Sequence, residues 1–358
     1  MKKFGSDYLV FDEATGKYHE DPEQAVRDDV EKHHWLNVAR AVLKDWRLYA
    51  MLIPMILVFL FWRYFPMYEL LRAFKVEGDS NVISVADRFY IGFSNFVKLF
   101  EGKEQLSIYF WRALRNTFLL SFYGLCFGFP MPIIIALFFN EIKSNVARSF
   151  YQVATYLPKF MSTVIMTSLI TMLLRRGSAA IGQFEGLEPG IISQFLVQLG
   201  IVSEDIAYKG VLLQPEFFRA IYQISGIWET AGYDSIVFFA AIIAISPTSY
   251  EAAQIDGAGK LAQMRYVVLP SILSTIVIML ITRIGSLLNV GYEKVMLLYS
   301  NETYITADVV STFAQRYGVD QQMFGISSAA EMLNNIVGML LVIGANTIAR
   351  KASDVSLY

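Results

Sequence analysis

Residues 246–270 read SPTSYEAAQIDGAGKLAQMRYVVLP, a polar segment set between two long apolar runs. Thr248 is predicted to cap a short helix, and Glu251, three residues later, is predicted to close the capping box. Gly257 supplies the conformational freedom that ends this helix and turns the chain. A chain that leaves one apolar run, forms a rigid polar element and enters another is expected to present that element to a partner protein.

The composition indicates a membrane protein. Of the 358 residues, 55% are hydrophobic and only 17% are charged, with a mean hydropathy of +0.42, whereas soluble domains carry about 25% charged residues. The net charge of −2 gives no basic excess for binding nucleic acid. Cys126 is the sole cysteine, and His19, His33 and His34 all precede the first apolar run. This inventory excludes a disulfide framework and a histidine-based zinc site within the membrane.

Six apolar runs approach the length of about 20 residues that a spanning helix needs. They cover residues 48–65, 116–140, 155–174, 218–245, 267–288 and 332–348. The predicted fold class is therefore an all-α membrane protein with six transmembrane helices, the second of them kinked by its prolines. An even number of spans places both termini on one side, and the bias of Lys and Arg near the spans predicts that this side, with the 246–266 loop, is cytoplasmic.

Residues 1–47 are predicted to form a cytoplasmic segment before the transmembrane domain of residues 48–350. The first 30 or so residues mix charges without a period, so they are expected to be irregular or loosely helical. Apolar residues from Trp35 to Trp46 then recur on one helical face, which predicts an amphipathic helix in the headgroup region. A soluble helix packed on a partner remains the alternative. Residues 351–358 are predicted to be a cytoplasmic tail.

The opening segment resembles the EAA loop of ABC-importer permease subunits. The matching residues are Glu251, Ala252, Ala253, then Asp256, Gly257, Ala258, then Leu269 and Pro270 after the interval. Further matches to the LplB branch of carbohydrate permeases, in the MalF-like type I importer family, lie at 226–228, 283–285, 289–294 and 306–309. One departure is Ser274, where many members carry a second proline. The alternative reading of the loop is an ordinary polar connection with a capped helix.

The resemblance implies the core of a type I importer, with six spans in the fold of that family. Two permeases, this chain and a second, different one, would form the pathway, with two ATPase subunits beneath them. An extracellular solute-binding protein would deliver an oligosaccharide, acidic if it contains uronates. This chain would bind no cofactor, since ATP and Mg belong to the ATPase subunits, and it would lie in the bacterial cytoplasmic (inner) membrane.

The helix in the loop would, by the same resemblance, be the coupling helix that docks in a groove of one ATPase subunit. Glu251 would offer a carboxylate to a basic residue of that groove, Ala252 and Ala253 would permit close approach, and Gly257 would make the turn. Closure of the ATPase subunits on ATP would then move this helix and shift the permeases between outward-facing and inward-facing states. The chain would need no catalytic residue of its own.

Polar residues inside the spans are candidates for the substrate pathway, because each is costly in lipid. Arg283 costs about 3 kcal/mol on insertion scales and must face water or a partner. It could bind sugar hydroxyls or a uronate carboxylate. The alternative is a structural ion pair with Glu229 or Asp234, or with the partner permease. The aromatic neighbours of those two acids could be sugar platforms or a membrane-interface belt. The remaining candidates are Trp228, Tyr233, Asn289, Asn334 and Asn335.

Two other classes of protein compete with a permease. A membrane-integral enzyme acting on a glycan or lipid would use Glu229, Asp234 and Arg283 for chemistry. Against it, the sequence offers no intramembrane histidine, no paired acidic motif and no Gly-Ser nucleophile setting. An ion channel or scaffold would leave the segment from Glu251 to Gly257 without a purpose. The sequence therefore favours the permease.

Overall fold

The computed structural model describes residues 9–12, 17–20, 44, 46–74, 92–102, 105–178 and 186–353. The chain divides into two compact units, residues 1–68 and 69–358. The second unit contains the residues on which the functional interpretation depends.

The first unit begins with a β-hairpin. Strands β1 (Leu9–Asp12) and β2 (Lys17–Glu20) pair antiparallel, with Leu9 opposite Glu20. The prediction that this region is irregular or loosely helical is wrong for these residues, because runs such as Leu-Val-Phe have high strand propensity over a length too short to show a period. Helix α1 (Trp46–Phe59) follows and continues into a π-helical turn, Leu60–Tyr64. The predicted interfacial helix lies outside the described residues except at Lys44 and from Trp46 onward, where the chain is helical.

Four helices are long and apolar enough to cross a membrane, and two bent helix pairs meet the same test. If each pair is counted as one, the described residues contain six candidate spans, called spans one to six here. They are Trp46–Phe74, Gln105–Glu141, Asn145–Phe160 with Thr163–Leu173, Pro215–Ile243, Lys260–Ser271 with Leu273–Gly285, and Phe324–Arg350. Each predicted apolar run overlaps one of them.

The spans and the segments between them are built from the following elements. The α-helices are α2 (Ser94–Phe100), α3 (Gln105–Tyr123), α4 (Pro130–Glu141), α5 (Asn145–Tyr156), α6 (Thr163–Leu173), α7 (Ile191–Gln198), α8 (Glu204–Lys209), α9 (Pro215–Ile243), α10 (Pro247–Ile255), α11 (Lys260–Gln263), α12 (Leu269–Ser271), α13 (Leu273–Gly285), α14 (Tyr292–Leu298), α15 (Tyr304–Ala307), α16 (Val310–Ala314) and α17 (Phe324–Ser353). Short 3₁₀ helices occupy Phe65–Phe74, Leu157–Phe160, Val211–Leu213 and Asn301–Thr303, and π-helical turns occupy Gly124–Gly128, Met264–Val268 and Gln315–Asp320.

Span two is longer than predicted and distorted where a kink was expected. It begins at Gln105, well before the predicted start at Asn116, because its first turns bury Phe110 and Ala113 against other helices instead of presenting an all-apolar surface. A π-helical turn at Gly124–Gly128 lies directly before Pro130. Proline removes one backbone donor and a π-helical turn accommodates the change in helical register, so both features belong to one distortion.

Span three is broken rather than continuous. Pro158 lies in the 3₁₀ turn that ends the first half, and the second half starts at Thr163, capped by the Ser162 hydroxyl, which accepts from the Ile165 N–H at 3.3 Å. The two halves are bent by 100°. Span four crosses the first half so closely that a Cβ on Gly232 would lie 2.2 Å from the Thr155 carbonyl oxygen. A glycine is therefore required at this helix crossing.

A buried acidic residue fastens the segment between spans five and six. Asp308 has no exposed surface and accepts from Arg316 Nη2 at 2.7 Å and from the Thr312 hydroxyl at 2.9 Å. Arg112 of span two lies 3.7 Å from the same carboxylate. The Asn116 side chain, also in span two, donates to the Asp308 carbonyl at 3.0 Å. These contacts fix the segment against span two and so shape one end of the cavities described below.

Candidate substrate cavity and coupling loop

A cavity of about 420 Å³ lies between spans two, four and five and helix α14. Its wall mixes charged, amide, hydroxyl and apolar groups, as a site for a sugar would. The lining residues are Gly124, Gly128, Phe129, Pro132, Tyr222, Gln223, Gly226, Ile227, Glu229, Thr230, Asp234, Phe238, Met279, Thr282, Arg283, Ser286, Asn289, Gly291 and Lys294. Of the predicted pathway residues, the structure therefore brings Glu229, Asp234, Arg283 and Asn289 together here. We call this the main cavity.

Arg283 lies near the end of α13 and is exposed in the main cavity. The π-helical turn of span two passes beside it, where a Cβ on Gly124 would lie 3.9 Å from Arg283 Nη2 and 3.5 Å from Gln223 Oε1. Gln223 is held in place because its amide donates to the Leu120 carbonyl at 2.6 Å. The absence of a side chain at Gly124 thus leaves room for two groups that can bind sugar.

The acidic residues of the main cavity do not form an ion pair with Arg283. Lys294 Nζ lies 2.9 Å from Glu229 Oε2, and the two side chains are only 10% and 16% exposed. Lys294 also lies 5.6 Å from the centre of the Tyr222 ring, within cation–π range. Among the residues that the structure describes, no salt bridge joins Arg283 to Glu229 or Asp234. The structure therefore shows no ion pair of Arg283 within the described part of this chain, and an ion pair with the partner permease stays a prediction.

Four predicted pathway residues lie elsewhere. Trp228 is 46% exposed and Tyr233 is 42% exposed, and neither lines the main cavity. Tyr233 instead meets Phe160 of span three edge to face, with ring centroids 6.0 Å apart. Asn334 and Asn335 line a second cavity of about 430 Å³.

Sequence reasoning missed Lys294, Gln223 and Tyr222 as lining residues of the main cavity. Helical spacing could have indicated the last two, since Tyr222, Gln223 and Gly226 lie one to two turns before Glu229 on span four. Lys294 gives no comparable signal, because it follows the apolar run of span five in an ordinary polar segment.

The loop after span four contains the helix that the sequence predicts, with a different start. Helix α10 begins at Pro247, and Ser246 is its N-cap without any side-chain capping bond. The Ser246 and Thr248 hydroxyls lie 2.8 Å apart. The prediction that Thr248 caps the helix and Glu251 closes the box is therefore wrong, because proline takes the first helical position and moves the start toward the N-terminus.

The same loop ends its helix on a glycine, as predicted. Gly257 has φ +79°, in the left-handed region that favours glycine. The N–H groups of Gly257 and Ala258 donate to Gln254 and Ala253 carbonyls at 3.0 and 2.9 Å and so close the C-terminus.

No residue of α10 is buried, and apolar side chains project from the loop. Ile255, Leu261 and Tyr266 are 86%, 81% and 71% exposed. Lys260 Nζ lies 3.0 Å from Glu141 Oε2 and so ties the loop to the end of span two. A polar helix with adjacent exposed apolar residues, held on a span end, is a surface that a partner protein can cover.

The region that builds the main cavity and this loop matches a known family. Residues 128–291 match the model of the binding-protein-dependent transport system inner membrane component. Protein LplB of Bacillus subtilis (strain 168) is 34% identical over 318 residues, which are 89% of this chain and 93% of LplB. The chain belongs to this permease family.

Other similar proteins agree with this assignment. The polygalacturonan/rhamnogalacturonan transport system permease protein YteP of the same strain is 34% identical over 311 residues, covering 87% of this chain and 90% of YteP. A chain of a bacterial ABC transporter involved in the import of the acidic polysaccharide alginate has 39% identity and a TM-score of 0.75, over 88% of this chain and 99% of that one. A second structure of a bacterial alginate transporter, in complex with an alginate pentasaccharide-bound periplasmic protein, matches equally well.

These comparisons confirm the family and the fold class predicted from the loop and the six spans. The protein is an inner-membrane permease subunit of an ABC importer, with the all-α type I permease fold. It is a transport subunit and not an enzyme, so the membrane-enzyme alternative is set aside. The cargo and the partners of this permease are matters for proposal.

Proposed function

We propose that this permease passes an acidic, uronate-containing oligosaccharide through the cytoplasmic membrane. Arg283 carries the proposal, because its guanidinium is exposed in the main cavity and has no salt bridge with Glu229 or Asp234. An arginine without a salt bridge in a membrane cavity is costly, and a carboxylate of the cargo can satisfy it with two parallel hydrogen bonds. The names of the alginate transporter and of YteP, both concerned with uronate polymers, support the same class of cargo.

The rest of the main cavity suits the hydroxyl groups of the same sugar. Gln223, Thr230, Thr282, Ser286 and Asn289 supply amides and hydroxyls that both donate and accept. A volume of about 420 Å³ lies within the usual range of small-ligand sites, roughly 300 to 1,000 Å³. Arg283 would fix one acidic group, and these residues would bind the ring to which it is attached.

The proposed assembly contains a second permease, two ATPase subunits that bind ATP and Mg, and an extracellular solute-binding protein. In this arrangement both termini and the loop of residues 246–266 are cytoplasmic. The second permease is proposed to be a different chain, as the resemblance to type I importers implies.

Helix α10 is proposed to dock in a groove of an ATPase subunit. Its exposure and the exposed apolar residues beside it support this role. Glu251 would meet a basic residue of the groove, Ala252 and Ala253 would allow close approach, and Gly257 would turn the chain away. The other family positions, Asp256, Ala258, Leu269 and Pro270, would frame the turn and the start of span five. ATPase closure would then be transmitted to the spans that line the main cavity.

The cargo is tested by replacing Arg283 in the complete importer, reconstituted in liposomes with its binding protein. Arg283→Ala is expected to lower uptake of a uronate oligosaccharide by roughly tenfold or more, the loss of a charge-assisted pair, while the complex still assembles. Arg283→Lys keeps the charge without the bidentate geometry, so its uptake should lie between that of wild type and that of Arg283→Ala. Arg115→Ala is the matched control, because Arg115 is an exposed arginine that does not line the main cavity.

Two results would contradict the proposal. If Arg283→Ala prevents assembly of the complex, Arg283 is a structural residue and the site is wrongly assigned. If Arg283→Ala lowers the uptake of a neutral oligosaccharide of the same length by the same factor, the arginine does not bind the carboxylate of the cargo.

A further inference from the structure

The second cavity adjoins the main cavity. It is lined by the start of span six, the turn from span five to α14, and helix α16. Asn289 and Gly291 line both cavities, so one wall is common to the two. The complete lining is Thr117, Leu288, Asn289, Val290, Gly291, Val310, Ser311, Glu331, Asn334 and Asn335.

An unused hydrogen-bond acceptor lies in this wall. Asn334 is 8% exposed, and its amide nitrogen donates to the Leu288 carbonyl at 3.3 Å. Its Oδ1 is buried and accepts no hydrogen bond within the described part of the chain. A buried amide oxygen without a donor is unfavourable, so a donor that arrives with a ligand would be bound more tightly there than at a solvated surface.

The second cavity carries one charge, which is negative. Glu331 is its only ionisable lining residue, and no lysine or arginine lines it. Within the described ranges, no salt bridge involves Glu331. A carboxylate is an acceptor only, and it repels another carboxylate. A ligand group that fits this wall must therefore donate hydrogen bonds and carry no negative charge.

We propose that the second cavity is a subsite for the uncharged, hydroxyl-rich part of the same acidic oligosaccharide whose carboxylate lies at Arg283. The inference rests on the proposed function. Sugar hydroxyls would donate to Asn334 Oδ1, to Glu331 and to the amide oxygen of Asn335. The shared residues Asn289 and Gly291 would lie beneath the linkage between the two parts. This arrangement selects cargo by length as well as by charge, because only a chain that extends past the main cavity reaches the second one.

The test compares the uptake of a long cargo with the uptake of a short cargo by the same variant. An effect of the substitution on assembly or on ATPase activity changes both and cancels in their ratio. Two cargoes are used, a disaccharide and a pentasaccharide that each carry a single terminal galacturonate on neutral hexoses. Their uptake is measured in the reconstituted importer with its binding protein, and the ratio is taken. Glu331→Gln is expected to lower the pentasaccharide-to-disaccharide ratio by roughly tenfold, as expected for a charge-assisted hydrogen bond. Asn334→Leu should lower it by roughly fivefold, as expected for a neutral one. Glu216→Gln is the matched control, because this exposed carboxylate at the start of span four lines neither cavity.

The outcomes separate this inference from the proposed function. A ratio unchanged in Glu331→Gln, in an importer that still loses uronate uptake on Arg283→Ala, overturns the subsite and leaves the cargo assignment intact. Uronate uptake unaffected by Arg283→Ala overturns the proposed function, and the subsite falls with it. Asn334→Leu also removes the hydrogen bond to the Leu288 carbonyl. If that variant does not assemble, the uptake ratio of Glu331→Gln alone tests the subsite.

Discussion

Replacing Lys294 with methionine should destabilise the permease and also impair it, although the proposed function gives Lys294 no direct contact with the cargo. Methionine keeps the length of the side chain and removes its charge, which leaves the Glu229 carboxylate without its partner 2.9 Å away. The pair lies in the wall of the main cavity, with both side chains at least five-sixths buried. The change therefore creates an uncompensated charge in a poorly solvated site.

The size of the effect follows from that burial. Breaking one partner of a buried ion pair costs about 3 to 5 kcal/mol. Residual exposure of 10% and 16% lets some water reach the pair, so the lower end applies, and the lost contact with the Tyr222 ring adds about 0.5 to 1 kcal/mol. We expect a total of about 3 to 4 kcal/mol. Replacing both partners, Glu229→Gln with Lys294→Met, should recover most of this loss, because a buried ion pair can often be replaced by neutral groups at little cost.

Thermal unfolding of the detergent-solubilised complex measures these differences, with the two single variants and the double variant forming a double-mutant cycle. Lys294→Met should lower the melting temperature by several degrees, and the double variant should lie near wild type. Uptake of a uronate oligosaccharide should follow the same order, because the carboxylate released from Lys294 becomes available to neutralise Arg283. A Lys294→Met permease as stable as wild type, or a double variant no better than the single one, would refute this account of the cavity.

Two further predictions use glycine pairs in which one member serves as control. Gly232→Ala should prevent or weaken folding, because its Cβ would lie 2.2 Å from a carbonyl oxygen of span three, whereas Gly338→Ala meets nothing within 4 Å and should be stable in the same melting assay. In the loop, the double variant Glu251→Ala with Gly257→Pro should lose the ATPase subunits on co-purification, whereas Gly259→Ala, with a negative φ and no neighbour within 4 Å, should retain them. Unchanged ATPase binding and unchanged uptake in the double variant would remove the coupling role.

Features that depend on a short stretch of chain were predictable from the sequence. The helix in the 246–270 loop and its glycine turn follow from local residue types, and Gly257 has the positive φ that the pattern predicts. The start of that helix was misplaced because Pro247 and Thr248 both offer a plausible beginning. The interruption of span three was likewise visible at Pro158, but its angle of 100° was not, since that angle depends on how the two halves pack.

The lining of the cavities was predictable only in part, because it depends on rotation about helix axes and on distant segments. Glu229 and Trp228 are neighbours in sequence, yet one residue rotates a helix position by about 100°, and only Glu229 lines the main cavity. Asn334 and Asn335 were expected in the pathway, and they line the adjoining cavity and not the main one. In the sequence, each of these residues is one polar or aromatic residue within a largely apolar run. Which of them face a cavity depends on the neighbouring helices, which the sequence does not place.

The pairing of charges, rather than their number, determines what the main cavity can bind. The charges of Glu229, Asp234, Arg283 and Lys294 sum to zero, so their number alone suggests a neutral site or a closed ion-pair network. The structure pairs Glu229 with Lys294 across 65 positions of sequence and packs both into the wall. That pair removes one acid and one base from the reach of a ligand, and Arg283 is left exposed without a salt bridge to Asp234. If the proposed acidic cargo binds Arg283, Lys294 contributes indirectly, because it binds one of the two acids of the main cavity and leaves fewer carboxylates to compete with the cargo.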